Sequence, residues 1–268
     1  MKTIRVFPRK TKATPDDDLA VVGDPGLFHQ ADQVLVDCTF TWDIPEAERL
    51  AEAWKIIAPI ELGGVAFGDP GGEFEPGLFL KQGYTITSRG CPNKCWFCSV
   101  WRRDGNIREL QIKDGWNILD DNLLACSESH IRKVFKMLKR QPKRAVFSGG
   151  LEAKRLKQWH VDLLRELHPK RIYFANDTDD DYEPLVEAGK MLLKGGFTTA
   201  SHTLCAYVLI GYPGDKFDQA TARLKQMIDT GFTPMAMLYR DEKGNTELDW
   251  RKFQRMWARP AIIYARVA

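Results

Sequence analysis

Between residues 84 and 238, short apolar runs alternate with amphipathic stretches, and few folds accommodate that alternation. The apolar runs cover residues 84–87, 116–119, 145–147, 171–175, 204–210 and 235–238, each of strand length. Between them, Ile131, Val134, Phe135 and Leu138 recur at helical spacing ahead of Pro142, and Leu185, Ala188, Leu192 and Leu193 do so ahead of Gly195 and Gly196. Phe217, Ala220, Leu224, Met227 and Ile228 repeat the pattern and stop at Gly231. The stretch 96–115 differs, being irregular and charged. Strand-then-helix units in series predict a parallel α/β sheet with ligands at the carboxyl ends of its strands. Six such units predict a partial (β/α)6 TIM-like barrel, open on one side.

Ahead of this array, residues 33–42 read as a strand, 45–57 as a helix with Pro45 at its start, and 60–67 as a second strand ending in glycines. That is one small βαβ unit. The turn formers of residues 68–77 read as a linker, so the expected organisation is an N-terminal unit with linker over 1–80 and a barrel over 81–245, followed by a helix and tail over 246–268 packed on the barrel. In the last segment Trp250, Phe253 and Trp257 fall at helical spacing and read as a core stripe. A hydrophobic fraction of 44% and a charged fraction of 28% are those of ordinary globular domains. No apolar run reaches the roughly 20 residues a membrane helix needs, and the basic start is followed by Asp16, Asp17 and Asp18 instead of an apolar stretch. A cytoplasmic protein without membrane contact is expected.

Six cysteines in such a chain do not read as a disulfide scaffold, because the cytosol keeps thiols reduced. Cys91, Cys95 and Cys98 fall on one short stretch after the first barrel strand, while Cys38, Cys126 and Cys205 are dispersed and read as small buried hydrophobes. Three thiolates on one loop can hold three corners of a cubane cluster and leave one iron open for chemistry. A structural zinc site is the alternative for the same residues, but zinc usually takes two Cys pairs or a Cys pair with a His pair, and neither pattern occurs here.

The segment Thr87-Ser-Arg-Gly-Cys91-Pro-Asn-Lys-Cys95-Trp-Phe97-Cys98 resembles the CxxxCxxC signature of the radical S-adenosylmethionine superfamily, including the aromatic Phe97 before the last cysteine. Its form is most similar to that of the cobalamin-type methylases and the methylthiotransferases. The resemblance implies a [4Fe-4S] cluster on Cys91, Cys95 and Cys98, and S-adenosyl-L-methionine chelated to the open iron. It further implies cleavage of that cofactor to a 5′-deoxyadenosyl radical, fed by an external electron donor of flavodoxin or ferredoxin type. A noncatalytic metal-binding module built on a similar loop is the competing class.

Other segments resemble the cofactor-binding motifs of that superfamily. Asp120, Asp121 and Asn122 follow the second barrel strand, where an acidic motif receives the cofactor's ammonium; a strand-end turn capping the next helix accounts for them equally. Ser148, Gly149 and Gly150 end the third strand and permit close backbone approach, as a plain tight turn also does. Asn176 and Asp177 follow the fourth strand and stand where a ribose hydroxyl is taken, within an acidic run typical of solvated loops. Ile210 and Gly211 open an Ile-Gly-Tyr-Pro-Gly-Asp segment similar to one that lines the adenine in relatives. Tyr207 and Tyr212 stand as hydrogen-atom donors between which nothing in the sequence chooses, and no catalytic residue beyond the cluster ligands is assigned.

Two departures limit the resemblance. Only Cys38 precedes the loop, where methylthiotransferases carry three further cysteines, and the small βαβ unit lacks the cobalt-ligand motif of cobalamin-type members. Cobalamin is therefore disfavoured, although a cobalamin-dependent methylase is the runner-up function. Finally, Arg89, Lys94, Arg102, Arg103 and Arg108 stand against the single acid Asp104 around the loop, with Trp96 and Trp101 interleaved. Cations among aromatic faces suit unstacked bases, which makes nucleic acid one candidate for the unidentified substrate.

Overall fold

The computed structural model describes residues 1–258 and Ile263, and the chain divides into two compact units, Met1–Gly115 and Trp116–Ala268. The architecture is α/β, with a four-stranded and a six-stranded parallel sheet. Among the described residues no helix is long and apolar enough to cross a membrane.

The first unit contains more sheet than the sequence pattern predicts. Strands β1 (Thr3–Phe7), β2 (Ala20–Val22), β3 (Gln33–Asp37) and β4 (Ile60–Gly63) form a parallel sheet in the order β2-β1-β3-β4. The expected single βαβ unit is therefore the β3–β4 half of a larger sheet. Helix α1 (Ile44–Trp54) begins with Pro45 in its first turn, where the fixed φ favours a helix and the missing N–H costs nothing. Ala47, Leu50, Ala51 and Trp54 of α1 pack with Ile4, Val6, Val34 and Val36 in one apolar core. Both flanking strands are shorter than the pattern predicts. β3 stops at Asp37, with a 3₁₀ turn over Thr41–Asp43, and β4 stops at Gly63.

The expected linker is tied down. Arg5, buried inside the sheet, donates to the Gly77 carbonyl at 3.0 Å and pairs with Asp17. Further along, Gly71 N donates to Asp104 at 3.0 Å and Arg89 Nε to the Gly72 carbonyl at 3.2 Å. Short elements complete this unit: β5 (Tyr84–Thr85), β6 (Ser88–Arg89), helix α2 (Val100–Arg103) and β7 (Arg108–Glu109).

The second unit follows the alternation of its sequence. Strands β8 (Asn117–Ile118), β9 (Val146–Leu151), β10 (Arg171–Ala175), β11 (Leu204–Ile210) and β12 (Thr233–Leu238) stand in the order β12-β11-β10-β9-β8, so each neighbours its predecessor in the chain. Helices α3 (Glu128–Leu138), α4 (Gln158–Leu167), α5 (Tyr182–Lys194) and α6 (Phe217–Asp229) make the crossovers. One sheet face, with Ile118, Phe147, Ile172, Phe174, Val208 and Ile210, is buried. Helix α7 (Leu248–Met256) buries Trp250 and Phe253, followed by buried Trp257, which is the expected core stripe, and Gln254 donates to the Ala236 carbonyl at 2.9 Å. Residues 259–262 and 264–268 of the expected tail lie outside the described residues.

Candidate functional site

The cysteine loop belongs to the first unit and is closed at its neck by a two-residue antiparallel ladder. Ser88 pairs with Glu109 and Arg89 with Arg108, and Leu110 N donates to the Thr87 carbonyl at 2.9 Å. The glycine of the Arg-Gly-Cys sequence is fixed by this neck. Gly90 has φ +86°, and a Cβ there would lie 2.3 Å from the Asn106 carbonyl oxygen, so any other residue would force the two arms of the loop apart. Beyond the neck, Cys91 N donates to the Gly105 carbonyl at 3.0 Å, Cys98 N to the Cys95 carbonyl at 3.2 Å, and Trp101 Nε1 to that same carbonyl at 3.1 Å. Cys91, Cys95 and Cys98 are all half-buried, and none is in a disulfide. Phe97 is half-buried and meets the exposed Trp96 edge to face, with ring centroids 5.4 Å apart.

The cations of this loop chiefly build it. Arg103 pairs at 2.7 Å with the fully buried Asp104 carboxylate, Arg89 and Arg108 reach the Gly72 and Gly71 carbonyls, and Arg102 lies over the Trp101 ring at 4.7 Å. Gly71 makes room for Arg89, because a Cβ there would stand 2.1 Å from the guanidinium carbon. Arg103 is charge-paired with Asp104, whereas Arg89 and Arg108 donate to neutral carbonyls and keep their positive charge.

No group of three or more His, Cys, Asp or Glu among the described residues is arranged to hold a metal ion. The arrangement therefore gives a cluster no direct support. A cubane's three protein thiolates bind three different irons and stand farther apart than ligands sharing one ion, and the donor set required is thiolates on one loop with a fourth position open. Cys91, Cys95 and Cys98 supply that set.

The remaining sequence-derived candidates lie in the second unit, at or near the carboxyl ends of β8 to β11. Asp120 and Asn122 are buried after β8, and Asn122 Nδ2 donates to Glu152 at 2.7 Å. Asn122 makes no side-chain cap bond; the cap of α3 is Ser127, which accepts from His130 N. Asp121 beside them is half-buried. Ser148, Gly149 and Gly150 do not end β9 but form a bulge inside it. Phe147 pairs with Ile172 and Leu151 with Phe174, so these three residues stand opposite Tyr173 alone. The bulge requires glycine for steric reasons. A Cβ at Gly149 would lie 2.2 Å from the Asp120 carbonyl oxygen, and Gly150 has φ +93° with open space around it.

Asn176 and Asp177 follow β10. Asp177 Oδ1 accepts from Leu209 N at 2.9 Å, and burial, reinforced by the Asp181 charge, pushes its carboxyl up to about 7. Asn176 is buried, and among the described residues its Oδ1 has no hydrogen-bond partner, an uncommon state for a buried acceptor and one a ligand donor would relieve. After β11, Gly211 adopts φ +70° and its N–H donates to Asp215 Oδ2 at 2.8 Å. Arg223 clamps both oxygens of that fully buried carboxylate at 2.9 Å and also reaches the Leu209 carbonyl. The Ile210 side chain is fully buried and its carbonyl accepts from Tyr239 N at 2.9 Å.

Of the other face of this sheet the sequence singled out Tyr207 but not its aromatic and methionine neighbours. Register places Tyr173 beside Cys205, Ala175 beside Tyr207, Tyr207 beside Met235 and Leu209 beside Met237. The Tyr173 and Tyr207 rings stack at 4.7 Å and 7°, Tyr207 donates to the Ser148 carbonyl at 2.9 Å, and burial raises both phenol pKa values. Met235 and Met237 keep 41% and 43% of their surface exposed. Parallel sheets are normally covered on both faces, so an aromatic and methionine face with this exposure suits a ligand of adaptable shape. Compared with protein-family models and with curated proteins, the chain matches none.

Proposed function

We propose that the chain is a radical S-adenosylmethionine enzyme of undetermined substrate, built on a partial barrel over residues 81–245 and working in the cytoplasm with an external electron donor. The carrying observation is the neck-closed loop that presents Cys91, Cys95 and Cys98 as three half-buried thiols outside any disulfide. Cys91, Cys95 and Cys98 would hold a four-iron cluster there, and such a cluster, once reduced, would supply one-electron chemistry for cleaving S-adenosylmethionine and functionalising an unactivated carbon. The residues' own contributions follow from their surroundings. Asp120 is buried after β8, where a carboxylate suits an ammonium, and Asn176 has an acceptor without a partner among the described residues that suits a hydroxyl. Gly149 and Gly150 keep side chains away from the strand end, and Asp215 with Arg223 fixes the turn at Gly211.

The test is anaerobic reconstitution followed by iron analysis and by an assay for reductive cleavage to 5′-deoxyadenosine. About four iron per chain and cleavage are expected from the wild type. Neither is expected from the variant with Cys91, Cys95 and Cys98 all replaced by Ala. Cleavage retained in that variant rejects the proposal, as does a single zinc in place of iron. Cobalamin is not required in this reading, and stoichiometric cobalamin in protein produced with the vitamin supplied would favour the methylase alternative.

A further inference from the structure

The first unit has a ligand-binding geometry of its own. Its parallel order β2-β1-β3-β4 sends the chain to opposite sides of β1, and in open α/β sheets the crevice at such a switch point, outside the strands' carboxyl ends, is where ligands bind. The pairing of Val6 with Val36 brings the ends of β1 and β3 level. Asp37 is the last residue of β3. Its carboxylate is largely desolvated, and among the described residues it makes no hydrogen bond or ion pair. Such a group costs stability unless something else uses it. One of its oxygens lies 2.8 Å from where a Cβ of Gly64 would stand, and Gly64 has φ +113°, so only glycine lets the end of β4 approach this carboxylate.

The loop that follows β1 is charge-balanced overall, with Asp16 and Asp17 paired to Lys81 and Arg5, and its cations cluster at its start. It carries Arg9, Lys10 and Lys12, all exposed. Thr11 and Thr14 brace the loop through mutual hydroxyl and backbone hydrogen bonds at 2.8 to 3.1 Å. Arg9 is anchored by the buried Asp43 and lies 5.7 Å from the Phe40 ring centroid. A ligand in this crevice meets a hydrogen-bond acceptor at one end and cations at the other.

We infer that the β1/β3 crevice binds a phosphorylated sugar with vicinal hydroxyls, the hydroxyls donating to Asp37 and the phosphate lying against Lys10 and Lys12. This site shares no residue with the cysteine loop and does not depend on the radical reading. Calorimetric titration of the full chain with ribose 5-phosphate, 2-deoxyribose 5-phosphate and inorganic phosphate tests it. Ribose 5-phosphate should bind, and the 2-deoxy compound, whose ring form has no adjacent hydroxyl pair, should bind at least tenfold more weakly. Asp37→Asn should weaken ribose 5-phosphate at least tenfold while leaving inorganic phosphate unchanged, and the Lys10→Ala/Lys12→Ala pair should weaken both. Absence of ribose 5-phosphate binding overturns the inference, and so does equal affinity for the two sugars or unchanged binding in Asp37→Asn. Because both substitutions lie at the crevice rim and Asp37→Asn removes an uncompensated charge, a folded variant is expected and circular dichroism checks it.

Discussion

Asp37 shows how a single desolvated side chain sets both a cost and an opportunity. Burial pushes its carboxyl from the ordinary 3.8 up to about 6, so between those values the folded chain holds a proton that the unfolded chain has released. Stability therefore falls as pH rises through that window and stays lower above it. Asp37→Asn should remove the penalty, stabilising the protein above the window by roughly 1–3 kcal/mol and leaving it nearly unchanged at the acid end. Urea unfolding of both proteins across pH reads this as a difference, which matters because Asp177 is also raised, to about 7, and contributes to both curves. Equal pH dependence in the two proteins would mean that Asp37 is solvated after all. Gly149 is constrained by packing instead of charge. With the Asp120 backbone 2.2 Å from its absent Cβ, Gly149→Ala must push β9 away from the end of β8. A loss of roughly 1–3 kcal/mol is expected from such overpacking, measured as a lower denaturant midpoint. Gly150, with open space around it, lacks that clash and suffers only the strain of its positive φ.

Among the elements, the turn after β11 depends on one buried ion pair. Asp215 is fully buried and holds Gly211 N, Lys216 N and Arg223 together. Removing one partner of such a pair strands the other, so Asp215→Ala should cost roughly 3–5 kcal/mol. A loss of that size in thermal unfolding, with only part of it recovered in Asp215→Ala/Arg223→Met, is the expected result. The Gly-Tyr-Pro-Gly-Asp segment was visible in the sequence, but the Arg223 that fixes it comes from the next helix. Elements whose signal is local were legible in the same way. Residues 171–175 and 204–210 carry apolar runs long enough to define their own strands, and α5 runs up to Gly195 as its spacing indicates. β1 was not legible, because Arg5 interrupts its apolar run and is satisfied only by the distant Leu19 and Gly77 carbonyls and Asp17. β2, with three residues among turn formers, gave no period to read. β9 continues past its apolar run because a bulge absorbs Ser148, Gly149 and Gly150, which a pattern of local residues reads as a stop. At the candidate site the cysteines and glycines were readable from spacing. The Tyr173–Tyr207 stack and the solitary Asp37 were not, since both are products of strand register and burial.

For the whole molecule, two compact units with separate apolar cores imply that stability is distributed unevenly and can be perturbed in one unit at a time. Trp54 is the sharpest probe of the first unit. Its side chain is fully buried, its Nε1 donates to the Gly23 carbonyl at 3.0 Å, and its ring stacks on His29 at 5.0 Å. Trp54→Ala therefore deletes the largest side chain of that core together with a hydrogen bond, at an expected cost of roughly 3–5 kcal/mol. If the units are separate cooperative blocks, amide exchange in β1, β3 and β4 should accelerate strongly in this variant. β10, β11 and β12, whose core of Ile172, Phe174, Val208 and Phe232 contains no residue of the first unit's cluster, should keep their protection. Acceleration of equal size in both sets would show a single cooperative block. Loosening the first sheet should weaken ribose 5-phosphate binding at the β1/β3 crevice, whereas the ordering of β8 to β12, on which Asn176 and Asp177 depend, should persist.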